Sequence, residues 1–124
     1  MGDGSTDPKR TQGVKKPRVS LVPPALTIYA AKAFEDGAAK YGPYNWRKTS
    51  VQADIYVEAA LRHLMSWWDG EEVAPDSGVH HLGHAAACIA ILLDAQACDA
   101  LIDNRPPSGP AGALIQELTL KGAS

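Results

Sequence analysis

The chain has little of what would mark a secreted, membrane-bound or polyanion-seeking protein. Its longest apolar run, Ala85 to Leu93, is far short of the ~20 residues that span a bilayer, so it fits a buried helix segment instead. The first twenty residues carry basic and polar groups but no apolar block before a cleavage site, so no secretory signal is expected. Cysteine is scarce. Cys88 and Cys98 lie ten apart in one expected helix, ~15 Å along its axis and too far for a disulfide, so reduced thiols and a cytoplasmic setting are expected. The formal net charge of −2 supplies no global field toward a polyanion. Neither a membrane nor a stable nucleic-acid partner is expected. Walker-type phosphate loops and the glycine-rich dinucleotide fingerprint are missing too, so a phosphate would have to be held by side chains and a metal.

Extended alternation of any length is also missing, and the apolar positions recur at helical spacing, so the domain is read as all-α. Residues 1–22, with Lys9, Arg10, Lys15, Lys16 and Arg18 among Gly, Ser, Thr and Pro, form a flexible basic tail, and 23–124 form the domain. Pro23-Pro24 leads into a helix over Ala25 to Ala39. Lys40 to Thr49 reads as a loop, because Gly42-Pro43 and Asn45 are turn formers. A second helix is expected from Val51 to Asp69, ended by Gly70, and a third from Val79 to Ile102, with Asp76 as its cap or first-turn acid. Leu114 to Leu120 forms a short last helix or a strand-like tail. A third helix that is apolar nearly all round needs more cover than two neighbours give, which points to a last helix or another subunit. The pair Trp67-Trp68 fits the same need, one ring facing inward and the other a partner.

What the chain does have is concentrated. All four histidines, His63, His80, His81 and His84, fall in one stretch with Glu58, Arg62, Glu71, Glu72 and Asp76. His81 and His84 are three apart and share a helix face, an ordinary metal-ligand spacing. Carboxylate ligands would favour a hard ion and imidazoles zinc. A first helical turn of exposed histidines behind a solvated acidic loop accounts for the same residues. Glu58 and Arg62 stand out on an alanine-rich helix, as a ligand and its neighbour or as a surface ion pair.

The segment Lys40-Tyr41-Gly42-Pro43-Tyr44-Asn45-Trp46-Arg47 offers flat aromatic faces, a carboxamide and two cations. Bases stack on such rings, and Arg and Lys suit phosphates. Packing of Tyr41 and Trp46 onto the bundle is the plain alternative.

The runs KYGPYNW, EAALRHLMSWWDGEE and DSGVHHLGHAA resemble the phage-borne dATP/dGTP diphosphohydrolases, or pyrophosphohydrolases, which lie in or near the MazG-like all-α nucleoside triphosphate pyrophosphohydrolases. The resemblance covers roughly residues 25–98. It implies a MazG-like helical bundle completed by oligomerisation, as a homodimer or homotetramer, that cleaves purine deoxynucleoside triphosphates to monophosphate and pyrophosphate with Mg²⁺ or Mn²⁺. Glu58 falls where the first acidic motif of such enzymes is expected and His81-Leu-Gly-His84 where the second is. On this resemblance Glu35, Glu58, Glu71, Asp76, His81 and His84 are the candidate metal ligands, and Glu58, Arg62 and Lys40 the catalytic groups. Tyr44, Asn45, Trp46, Arg47 and His63 would bind substrate. The preference for dGTP, and for dATP beside it, comes from the resemblance alone.

Two other readings compete. A triphosphohydrolase of the HD type also uses His and Asp on helices, although no adjacent His-Asp pair is present here. A non-catalytic helical nucleotide-binding protein would bind without turnover and tolerate Glu58→Gln. If the chain is phage-encoded, it acts in the cytoplasm of an infected host cell.

Overall fold

The computed structural model describes residues 7–120. The elements run α1 (Pro8–Gly13), a 3₁₀ turn (Val19–Leu21), α2 (Pro24–Tyr41), α3 (Asn45–Thr49), β1 (Val51–Gln52), α4 (Ala53–Trp68), α5 (His81–Ala97), β2 (Leu101–Ile102) and α6 (Ala111–Leu118). The fold is all-α, as expected, with one two-residue parallel pairing of Val51 with Leu101 and Gln52 with Ile102. Residues 7–22 are exposed throughout and include the short helix α1, which the basic composition did not foretell; residues 1–6 of the expected tail lie outside the described residues. Among the described residues no helix is long and apolar enough to cross a membrane.

Several boundaries differ from expectation, α4 starting at Ala53 and the last helix running over Ala111–Leu118, and three of the differences have a clear local reason. α2 runs past Gly37 to Tyr41 and stops at Gly42, whose φ of +86° only glycine adopts without strain. The expected loop to Thr49 contains a helix instead: Tyr44 turns left-handed (φ 55°), which redirects the chain so that α3 starts at Asn45. The third long helix ends at Ala97 rather than Ile102, because Asp99 adopts φ 60° and Ala100 turns inward to lead β2 beside β1. Asn104 then closes the loop, its side-chain oxygen accepting the Asp54 N–H at 2.9 Å in the first turn of α4. Asp76 does not cap α5. His80 does, its Nδ1 accepting the Leu82 N–H at 3.0 Å.

The central element is α5, packed on both α2 and α4. Its buried residues are His81, Gly83, Ala85, Ala87 and Ala95. Small side chains let the neighbouring backbones come close, and at Gly83 the approach is extreme: a Cβ there would lie 2.5 Å from the carbonyl oxygen of Tyr29 on α2. The rest of the core is also small. Ala33, Ala53, Ala60, Ala74 and Ala100 are buried beside only Trp46, Val51 and Val79, while Ile55, Leu61, Leu64, Met65, Ile89, Leu93, Leu114, Ile115 and Leu118 stay exposed. Trp67 is half-buried and Trp68 is 84% exposed. One chain therefore leaves much of its apolar surface in water.

Gly83→Ala tests the crossing. Alanine is the better helix former by roughly 1 kcal/mol, but the clash is with backbone and forces the helices apart. The variant is expected to lose about 1–3 kcal/mol of stability in urea denaturation; unchanged or increased stability would show that α2 and α5 are not held this closely.

Candidate active site

The connection between α4 and α5 gathers the histidines. Val73 bridges His80 in antiparallel fashion, and Gly78 (φ 73°) makes the turn between them. This hairpin lays Glu71 beside His81 and Glu72 beside His80. His80 Nδ1 already accepts from the Leu82 N–H, so its proton sits on Nε2 and is donated to Glu72 at 3.1 Å. Both ring nitrogens of His80 are thereby committed to holding the start of α5.

His81 is 4% exposed, the only buried polar residue among those described. Its Nε2–H donates to Glu71 at 2.6 Å, because a carboxylate can only accept. In the neutral ring Nδ1 is then an acceptor, and His63 Nδ1, 2.8 Å away on α4, donates to it. Two charged rings would set one N–H against another, so at most one of the pair carries an extra proton. His63 also stacks on His84, with ring centroids 4.5 Å apart and planes within 16°. His84 Nε2 lies 2.6 Å from Ser77 Oγ, and Ser77 also accepts the Val79 N–H. Burial pushes both His63 and His84 below the ordinary imidazole value; the neighbouring imidazoles add to this for His63, while Asp36 and Asp76 oppose it at His84.

His84 faces a cavity of about 850 Å³ that α2, α3 and α5 enclose. Asp36 and Lys40, paired at 3.0 Å, are part of its lining, and both act electrostatically on His84. Asp36 first, then Tyr41 and Asp76, hold the Lys40 ammonium above its usual value. Ten residues farther along α5, roughly 15 Å, the lining becomes aromatic. Trp46 packs against Phe34 and Tyr44, and the Arg47 guanidinium lies 4.6 Å over the Tyr44 ring. Asp94 binds this group together, taking hydrogen bonds from Trp46 Nε1 at 2.7 Å and from Arg47 Nε and Nη2 at 2.8 and 2.7 Å. The Asn45 side chain lines the same space, and among the described residues its carboxamide has no hydrogen-bond partner.

The candidate residues thus fall into three groups. Glu35, Lys40, Tyr44, Asn45, Trp46, Arg47 and His84 line the cavity. Glu35 does so while paired with Lys32 on the exposed side of α2. His63, Glu71, Asp76 and His81 lie behind His84, with Asp76 acting on His63, His84 and Lys40 through space. Glu58 and Arg62 are exposed on α4 and outside the lining, with no ion pair between them, although Arg62 acts through space on His63.

Within a single chain these donors are not already gathered around one point, as a bound divalent cation would require. Among the described residues no three His, Cys, Asp or Glu side chains converge to hold one. Both nitrogens of His81 are occupied by Glu71 and His63, and Nε2 of His84 by Ser77. Asp36, Ser77 and Asp94 were not singled out from sequence. Asp94 had a readable signal, being the only Asp, Glu, Lys or Arg in α5. Asp36 stands four before Lys40, an ordinary helical ion-pair spacing.

A family model described as dATP/dGTP diphosphohydrolase, N-terminal, matches residues 6–105. A dATP/dGTP diphosphohydrolase of Salmonella phage PMBT28 is 28% identical over 93 residues, which are 75% of this chain and 29% of that protein. The chain therefore spans less than a third of the curated relative that it matches. No solved structure matches it.

The imidazole cluster makes stability depend on pH. The folded values of His63 and His84 lie below 6.5, so the unfolded chain binds protons first as the pH falls. The contribution of the neutral rings is complete above about pH 6.5 and declines below it. The melting temperature is expected to drop between about pH 6.5 and pH 5, less steeply for His63→Gln. A flat or rising profile over that range would contradict the burial of these rings.

Proposed function

The chain belongs to the dATP/dGTP diphosphohydrolase N-terminal family, and from that premise we propose that it hydrolyses purine deoxynucleoside triphosphates, dGTP and dATP, to the monophosphate and pyrophosphate. The observation that carries this reading is the cavity itself, aromatic beside Tyr44 and Trp46 and polar beside Lys40, Asp36 and His84. Such a gradient suits a nucleotide. The base stacks on the aromatic part, and the phosphates extend toward the cation. The unpartnered Asn45 carboxamide presents a donor and an acceptor together. By flipping, it can answer a 6-amino or a 6-oxo purine, which suits a site that takes both.

In this reading a water attacks the α-phosphorus and the bond to the bridging oxygen breaks, releasing pyrophosphate. Lys40, oriented by Asp36, stabilises the charge that develops on the phosphates. His84, kept neutral by burial, is able to take a proton from the water or to hydrogen-bond a phosphate oxygen, with His63 stacked behind it. Divalent-metal dependence belongs to the proposal because of the charge on the substrate; Mg²⁺ or Mn²⁺ would supply neutralisation of that charge. Of the candidate ligands, Glu35 and His84 line the cavity, and they would have to leave Lys32 and Ser77 to bind it, with Glu71, Asp76 and His81 behind them.

Self-association is part of the same proposal. The exposed apolar residues of α4 and α5 support a dimer or tetramer, in a MazG-like arrangement of helices. Glu58 and Arg62 enter the site only if a second copy brings them to it, since in one chain they lie off the lining. A cytoplasmic setting follows from where the deoxynucleotide pool is found.

Incubation with dGTP, dATP and dCTP, with and without Mg²⁺ or Mn²⁺, separates the readings. The expected products are purine monophosphate and pyrophosphate, abolished by chelator and restored by either cation. Nucleoside plus inorganic triphosphate would favour an HD-type reaction, and binding without product a non-catalytic role. Glu58→Gln is expected to lower kcat at least ~100-fold while sedimentation shows an unchanged oligomer. Activity near wild type would remove Glu58 from the site.

A further inference from the structure

We propose that Asp94 is the positioning residue of the cavity: it latches Trp46 and Arg47 so that the aromatic wall is set in advance for a base, and it withdraws Arg47 from phosphate binding. The inference rests on the nucleotide reading above and deepens it.

The geometry assigns the role. Both oxygens of Asp94 are engaged, Oδ2 by the Trp46 indole and by Arg47 Nε, and Oδ1 by Arg47 Nη2. A two-pronged guanidinium–carboxylate contact fixes direction as well as distance. The indole N–H is therefore spent, and Trp46, 7% exposed, can offer a ligand only its ring. Arg47 is held by the same carboxylate and lies over Tyr44. Tyr44 is itself in a left-handed backbone conformation that a bulky residue adopts only when its surroundings hold it there. Asp94 thus sets Trp46 and Arg47, and these in turn set Tyr44, the exposed ring that a base would meet.

The charge balance points the same way. Asp94 is the only Asp, Glu, Lys or Arg in α5, and Arg47 is the counter-charge that lies against it. Arg47 supplies the pairing, so its charge is neutralised within the protein. Lys40 is also paired, but through a single contact with Asp36, and a lysine chain swings free more readily than a two-pronged arginine. Lys40 and not Arg47 is the cation that meets the phosphates. The latch does not open with ordinary changes of pH, because Arg47 and then Trp46 hold the Asp94 carboxyl down to about 2.

Direct calorimetric binding of deoxyguanosine and of dGTP to the whole protein tests this, using wild type, Asp94→Asn, Arg47→Gln and the double variant. A latch predicts that each single variant weakens nucleoside and triphosphate by the same factor, at least about tenfold. The double variant should lose no more than the worse single one, because the latch is already open. Acrylamide quenching of tryptophan should rise in both single variants as Trp46 is released. In turnover, KM should rise more than kcat falls. A loss by Arg47→Gln confined to the triphosphate would make Arg47 a phosphate ligand and overturn the proposal, as would unchanged affinities in Asp94→Asn. Should Asp94→Asn fail to fold, Arg47→Gln decides on the same comparison. If wild type binds neither ligand, the nucleotide reading itself fails, whereas the quenching result still reports whether Asp94 holds Trp46.

Discussion

The structure depends on how closely helices can approach α5. Gly83 and the alanines on its buried face bring the backbone of α2 within reach of a single missing methyl group. That closeness fixes where α2 lies, and α2 supplies Phe34, Asp36 and Lys40 to the cavity. It also has a consequence for energetics. A core of alanines buries little area per residue, so the apolar contribution within one chain is small at roughly 25 cal/mol per Å². The larger apolar side chains point outward on α4, α5 and α6. Close packing inside and apolar surface outside are two results of the same choice of small residues for the spine.

Around this spine the two functional regions are built on opposite physical logic. At the start of α5, imidazoles are packed against one another, and burial favours the neutral form of His63 and His84. Neutral imidazoles can donate and accept, so this region is equipped to move protons or exchange partners. Toward the end of α5, Asp94 and Arg47 are fully ionised and bind each other through two hydrogen bonds. That region is equipped to stay still. A site that must hold a flat ring and rearrange charge around a phosphate needs both properties, and α5 separates them by roughly three turns.

Much of this was legible in the sequence. Pro24 and Gly70 mark helix ends because their backbone preferences are intrinsic. The span from His63 to His84 located the imidazole cluster, and the segment from Lys40 to Arg47 located most of the aromatic lining. The assignments of individual roles were harder. His80 and His81 are adjacent in sequence, yet one caps a helix and the other is buried between Glu71 and His63. Asp76 has the local look of a helix cap but acts instead on the cluster from outside. Glu58, conspicuous on an alanine-rich helix, is exposed outside the lining, while Asp94, equally isolated among apolar residues, is part of it.

By itself, then, the sequence determined the helical class, the approximate course of the three long helices and the two stretches in which the polar and aromatic groups are concentrated. These rest on periodicity and backbone preference, which act over a few residues. The tertiary structure alone decided which carboxylate meets which donor: Glu71 with His81, Asp36 rather than Glu35 with Lys40, and Asp94 with Trp46 and Arg47 across 48 and 47 positions. It also decided that Val51 pairs with Leu101 and that Glu58 stays outside. The physical reason is that a charged group takes whichever partner the packing brings within about 3 Å. In this chain the packing is governed by a glycine and a row of alanines that carry no chemical signal of their own.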